Sequence, residues 1–180
     1  EYFASIEELR KIPAQVEKVL ECNELVGQIA EEIKEANDIF YLGRGVDYSL
    51  AMEGALKIKE ISYVHAEAFA AGELKHGSIA LIDKGTPVVA IATQGKLFEK
   101  MVSNMQEVRA RGARVIAITQ EGNTEVEKSA DRVIYIPKVD DMFASITAVV
   151  PMQLLAYHAS NIRGLDGDKP RNLAKSVTVE

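Results

Sequence analysis

Hydrophobic and polar positions change period several times along the chain, and each change marks an element. Residues 48–62 repeat apolar side chains at helical spacing, which predicts a helix of about four turns. Four short, almost wholly apolar runs break that period: 38–42 (DIFYL), 86–93 (TPVVAIAT), 114–119 (RVIAIT) and 132–136 (RVIYI). Between them lie an amphipathic helical pattern over 96–111, stopped at Gly112, and a short one over 124–130. Continuously apolar strands alternating with helices are the pattern of a mostly parallel sheet covered on both faces. The predicted fold class is a three-layer α/β domain, and the pattern leaves the strand order open.

The flanks read differently. Ser5 with Glu8 has the form of a capping box, Pro13 suits the first turn of a second helix running toward Cys22, and Asn23 can cap a third through Ala36. Leu25, Val26, Ile29 and Ile33 make one face of that third helix, and no catalytic constellation stands out in these opening helices. Residues 142–162 form a long, mostly apolar helix with Pro151 inside it, expected to kink there. It is too apolar for the surface of a monomer; the opening helices could cover it, and burial in a partner interface is the favoured reading. After Gly164 the chain turns polar and rich in turn formers, as in a tail that is disordered or draped on the surface. The predicted segments are 1–37 (leading helices), 38–162 (the α/β domain) and 163–180 (the tail).

Composition narrows the function classes. With 180 residues and 47% hydrophobic content the chain can bury one core, and its net charge of −6 without a strong basic cluster argues against nucleic acid and anionic membranes as partners. A single Cys excludes an internal disulfide, and no Cys/His spacing suits a metal. No apolar run approaches the ~20 residues that cross a bilayer, and the N-terminal EYFASIEELR is no signal peptide, so a cytoplasmic setting is expected. The start at Glu1 without Met suits a processed chain or an excised piece of a longer one.

Candidate chemistry concentrates between residues 43 and 77. Glu53, Lys57 and Glu60 fall at i, i+4 and i+7, a narrow polar seam bordered by Leu50 and Ile61 on one side and by Met52 and Leu56 on the other. Such a seam suits side chains entering a crevice, and it equally suits two exposed ion pairs of small energetic weight. Lys59, on another face, reads as surface charge. Gly43-Arg44-Gly45, between a strand and the helix, is either an anion-holding turn or a plain tight one. Gly72 to Gly77 (GELKHG) sets a carboxylate, a cation and an imidazole in a loop, whereas His65 sits isolated on a run of small residues.

The run ALKIKEISYVHAEAFAAGELKHG, the strand and glycine turn before it, and the terminal DKPRNLAKSVTVE together resemble the C-terminal half of the isomerase region of the glucosamine-6-phosphate synthases (glutamine–fructose-6-phosphate aminotransferases). The likeness covers essentially the whole chain. It implies the second of two flavodoxin-like sugar-isomerase (SIS) domains, and a parent enzyme that converts fructose 6-phosphate and glutamine-derived ammonia into glucosamine 6-phosphate. By matching motif, Glu60 is implied as the base that moves a proton between C1 and C2. His76 is implied in ring opening, Lys175 as the amine that forms a Schiff base with the C2 carbonyl, and Glu53, Lys57, Gly43, Arg44, Gly45 and Ala174 in substrate binding. No cofactor or metal is implied. The implied partners are the remaining domains of the parent enzyme and a second copy in a homodimer, with His76 serving the neighbouring pocket.

These residue types suit the chemistry. Aldose–ketose exchange needs a carboxylate that takes a proton from one carbon and returns it to the next, and ring opening needs a group that exchanges protons near neutral pH. An imine needs an unprotonated amine, so Lys175 would have to be desolvated or lie beside a cation such as Arg171, with the tail folded back into the pocket. The chain departs from the family in lacking the Ser/Thr-rich phosphate loop of the first SIS domain and the glutaminase domain with its N-terminal Cys; Cys22 is not its equivalent. The fragment is therefore expected to be inactive alone. Two other readings are a non-catalytic sugar-phosphate-sensing module of a regulator, which has no need of Glu60, His76 and a terminal Lys together, and a related fructosamine-phosphate deglycase or isomerase, against which the tail speaks.

Overall fold

The structure, a computed structural model, describes residues 2–173. Five parallel strands form one sheet: β1 (Asp38–Gly43), β2 (His65–Ala70), β3 (Pro87–Ala92), β4 (Arg114–Gln120) and β5 (Arg132–Ile136), in the order β2-β1-β3-β4-β5. The helices are α1 (Tyr2–Val19), α2 (Asn23–Glu32), α3 (Val46–Ser62), α4 (Phe98–Arg109) and α5 (Ala144–Ile162). This is the flavodoxin-like three-layer α/β architecture, whose strand order reverses between β1 and β3.

Alternation along the strands sorts the core into two layers. Ile39 and Tyr41, Val89 and Ile91, and Ile116 and Ile118 face α3 and α5, where large side chains fill the space against Ile58, Met152 and Leu155. Phe40, Leu42, Val88, Ala90, Val115 and Ala117 face the other way, against Met101, Met105 and Val108 of α4. Gly54 brings α3 close to the sheet: a Cβ there would stand 2.8 Å from Tyr41 Cε1 and 2.5 Å from Met152 Sδ.

Several sequence expectations need correction. β2 reads as a run of small residues, yet it pairs with β1 from Asp38↔His65 to Gly43↔Ala70. Its HAEAFA composition has weak strand propensity, and the open edge of β1 supplies the ladder that the composition does not suggest. α1 runs unbroken through Pro13 rather than dividing there, and it begins before Ser5. Burial of Ile12 and Val19 on the body of the domain offsets the roughly 3 kcal/mol that an internal Pro costs. α2 ends at Glu32 instead of Ala36, and Asn23 is its first residue, with Oδ1 2.8 Å from His158 Nε2 on α5. α5 is one helix through Pro151; α1, α2 and α3 pack on it and bury Met152, Leu155, Ala156 and Ala159, as the opening helices could, while Ile146 and Tyr157 stay exposed.

Glu32, at the end of α2, pins the opening helices to the sheet. It accepts hydrogen bonds from Arg114 and Arg132 at the starts of β4 and β5. The hydrogen bond from Arg132, with both guanidinium charges close by, holds the Glu32 carboxyl below the usual glutamate range.

Candidate active site

α3 leaves the C-terminal end of β1 and returns to the start of β2, where His65 pairs with Asp38. At 1.5 Å per residue its two ends are roughly 25 Å apart, so the candidate residues fall into two separate groups.

The first group lies on the second half of α3. Lys57 Nζ stands 2.7 Å from Glu60 Oε2 and 3.6 Å from Glu53 Oε1, so one ammonium ties both carboxylates of the seam. The hydrogen bond to Glu60 keeps the Lys57 ammonium protonated to higher pH than usual, assisted by both carboxylate charges. Glu60 Oε1 has no partner among the described residues, which leaves one carboxylate oxygen free to take a proton. Ile61, a predicted border of the seam, lines a depression of about 500 Å³ with Glu60; the opposite wall is Gly167 to Pro170 together with Leu173. The start of the tail is thus beside the seam rather than extended away from it. Lys175 and Ala174 lie outside the described residues. Of the other predicted borders, Leu50 is buried in the core, whereas Met52 and Leu56 face outward.

The second group lies at the strand C-terminal ends. Gly43 is required by close approach, since a Cβ there would stand 2.2 Å from the Asp47 carbonyl oxygen, and Gly45 adopts φ 58°, a conformation that favours glycine. Two of the turn's carbonyls accept from the first turn of α3: Asp47 N–H donates to Arg44 O and Tyr48 N–H to Gly45 O. Asp47, which the sequence reading passed over, reaches from the first turn of α3 to the end of β3. Its carboxylate accepts from Thr93 N at 2.8 Å and from Thr93 Oγ1 at 2.6 Å. Burial raises the Asp47 pKa despite these hydrogen bonds. Gln94, Gln120 and Asp141 extend the network: Gln120 Nε2 donates to Thr93 O and Asp141 Oδ1, and Gly95 N–H donates to Asp141 Oδ2. The crevice at which folds of this class usually take a ligand is spanned here by the chain's own carboxylate.

Arg44 is turned toward α4. Its Nε donates to Asn104 Oδ1 at 2.9 Å, and its guanidinium lies against Gly72, where a Cβ would be 2.7 Å from Nη2. The loop so braced carries His76 in a short 3₁₀ turn, with Nδ1 2.9 Å from Glu73 Oε2 and most of the side chain exposed. His76 follows the C-terminal end of β2 and Glu60 precedes its start. The six-residue strand, about 20 Å long, therefore separates the two side chains within one chain. His65 and Asp38 form an exposed pair at 2.7 Å. They line a second depression, of about 510 Å³, together with Glu35, Glu67 and Lys84 and with Glu32, which Arg114 and Arg132 neutralise. Cys22 is half-buried, and burial pushes its thiol up, away from the thiolate of a nucleophile. No group of side chains suited to holding a metal occurs among the described residues.

A family model described as SIS domain matches residues 32–163. The chain belongs to the SIS domain family. Its relatives include the glutamine–fructose-6-phosphate aminotransferases (isomerizing) of Thermus thermophilus, 57% identical over 97% of this chain, and of Caldanaerobacter subterraneus subsp. tengcongensis, 53% identical over 97%. This SIS domain chain spans 29% of the length of each. Among solved structures it resembles the C-terminal domain of glucosamine-fructose-6-phosphate aminotransferase from Francisella tularensis, with a TM-score of 0.86 and 42% identity over 91% of this chain and 46% of that one. Among the described residues of the SIS domain chain, no helix is long and apolar enough to cross a membrane.

The sequence reading missed Asp47 and Thr93 as parts of the second region; a carboxylate two residues after a glycine turn and a Thr closing an apolar strand were the available signals.

Proposed function

We propose that this chain is the C-terminal SIS domain of an enzyme that makes glucosamine 6-phosphate from fructose 6-phosphate and glutamine-derived ammonia in the cytoplasm, and that it contributes the proton-transferring half of the sugar site. The observation that carries the reading is the seam itself: Glu60 keeps one oxygen free and has the other fixed by Lys57, on the edge of a depression whose far wall is the tail. A fixed carboxylate with an unengaged oxygen can take a proton from C1 and return it at C2 without turning away between the two steps. Lys57 orients that carboxylate, and Glu53 holds the other side of the ammonium.

In this proposal Lys175, a few residues beyond the described tail, supplies the amine that condenses with the C2 carbonyl, and Ala174 contacts the sugar. Gly43, Arg44 and Gly45 act from a distance by shaping the turn that braces the His76 loop. The separation of His76 from Glu60 favours an arrangement in which His76 opens the sugar ring in the pocket of a second copy, within a homodimer. The phosphate contacts and the ammonia come from the rest of the parent enzyme, so the chain by itself has little or no synthase activity.

Borohydride trapping of the parent enzyme with fructose 6-phosphate, followed by peptide mapping, tests the proposal. A sugar adduct on Lys175 is the expected result, and turnover with an unmodified Lys175 removes the imine role. Glu60→Gln is expected to lower C1–C2 proton exchange by about 10²–10⁴-fold with sugar binding retained, since the amide keeps the shape but cannot accept the proton. Exchange at the wild-type rate takes Glu60 out of its role.

A further inference from the structure

The tail is held against α3 by a residue with no role so far. Tyr63 follows the last residue of α3, three positions after Glu60, and adopts φ 59° and ψ 18°, a left-handed conformation that side chains other than those of Gly, Asn and Asp seldom take. Arg171 engages it twice. The backbone N–H of Arg171 donates to the Tyr63 phenol oxygen at 2.9 Å, and the guanidinium lies over the ring with its central carbon 4.1 Å from the centroid. A second anchor lies upstream, where Leu165 N–H donates to Ser160 O at 3.0 Å and Gly167 sits against Ile61 and Ser160. Between these two anchors, residues 167–170 line the depression beside Glu60, with Leu173 just past the second anchor.

We propose that Tyr63 and Arg171 form a clasp that fixes the tail over the Glu60 seam, making Tyr63 a positioning residue for the sugar site. The inference rests on the proposed function for its consequence, since a clasp at Arg171 sets where Lys175, four residues further on, can reach. The geometry of the clasp stands on the described residues alone. Its two contacts use different parts of the tyrosine: the hydroxyl accepts the amide, and the ring face takes the cation.

Trypsin cleavage after Arg171 in the 180-residue chain reads the clasp directly. Tyr63→Leu keeps a Cβ at the left-handed position, so the turn from α3 into β2 bears the same backbone restriction while both contacts are lost. Cleavage is expected to accelerate about 10-fold in Tyr63→Leu, with a smaller rise in Tyr63→Phe, which keeps the ring and loses the acceptor. Equal cleavage rates in wild type and Tyr63→Leu overturn the clasp. Hydrogen exchange of the Arg171 amide in the wild type needs no variant: protection supports the clasp, and exchange at the free-peptide rate overturns it.

In the parent enzyme, Tyr63→Leu is expected to lower the borohydride-trapped fraction at Lys175 and kcat by about 10-fold, with partial rescue in Tyr63→Phe and Glu60-dependent proton exchange less affected. Wild-type trapping at Lys175 that is unchanged in Tyr63→Leu overturns the positioning role. Absence of trapping in the wild type instead defeats the imine assignment, and the cleavage and exchange results still decide whether the clasp exists.

Discussion

At one end of α3 Asp47 is 1% exposed and accepts two hydrogen bonds from Thr93; at the other, Glu60 keeps 28% of its side chain in solvent and shares an ammonium with Glu53. Both are carboxylates on the same helix, and their surroundings separate their roles. Asp47 is spent on structure: both its oxygens are engaged, and it joins the first turn of α3 to the end of β3 across the point where the strand order reverses. Glu60 is left half-engaged at a depression lined, among the described residues, by the start of the tail. The rule that open α/β sheets take ligands at the strand C-terminal ends locates the crevice in this fold. Asp47 bridges to Thr93 there, and Glu53, Lys57 and Glu60 lie on the other half of the same helix.

Removing each carboxylate in turn sharpens this contrast. Asp47→Ala leaves the Thr93 amide and hydroxyl without their acceptor in a buried site, and a loss of about 2–4 kcal/mol of stability is expected in denaturant unfolding. A loss below about 0.5 kcal/mol would mean that water replaces the carboxylate and that the crevice is open to ligands.

Gly54→Ala probes the helix midway between the two regions. Its new Cβ would meet Tyr41 and Met152, so a loss of about 1–3 kcal/mol is expected, which the better helix propensity of Ala only partly offsets. Unchanged stability would show that the Met152 side chain moves aside and that α3 is less firmly seated than its contacts imply.

Acid titration distinguishes carboxylates of opposite shift. Glu32 has a lowered folded pKa, so its contribution is full above the ordinary glutamate range and is lost as pH falls through the folded value. Asp47 has a raised folded pKa; the folded state holds its proton more tightly, and stability falls as pH rises from the ordinary aspartate range through the folded value. Comparing Tm against pH, Glu32→Gln is expected to flatten the acid-side loss and Asp47→Asn to remove the opposing slope. The same slope in wild type and Glu32→Gln would assign acid unfolding to other carboxylates.

The smallest effect on stability is expected at the seam. Lys57→Met breaks two part-exposed ion pairs worth together at most about 1 kcal/mol, while releasing the orientation of Glu60. Unfolding should barely change as proton exchange by the parent enzyme falls. A stability loss as large as that of Asp47→Ala would erase the distinction between the two ends of the helix.

Strands β1, β3, β4 and β5 were legible as short, continuously apolar runs, and the helix that carries the seam through its period, with Glu53, Lys57 and Glu60 recurring within a narrow stripe. Periodicity reports local burial, and these segments are buried, or half-buried, in the way their own sequence states. β2 was not legible, since His65-Ala66-Glu67-Ala68 carries no strand signal and becomes a strand by lying along the free edge of β1. The unbroken α1 through Pro13 was hidden for a related reason, because packing against the body of the domain outweighs a local penalty.

By itself the sequence determined the layers of the fold, the polar seam of α3 and, through its motifs, the SIS domain family to which the chain belongs. It could not determine which of two helix ends is open. That depended on contacts between residues far apart in the chain, Asp47 with Thr93 and Tyr63 with Arg171, and no local pattern encodes such contacts. Hydrogen bonds of this kind are set by where separate elements arrive in space, which tertiary packing alone decides.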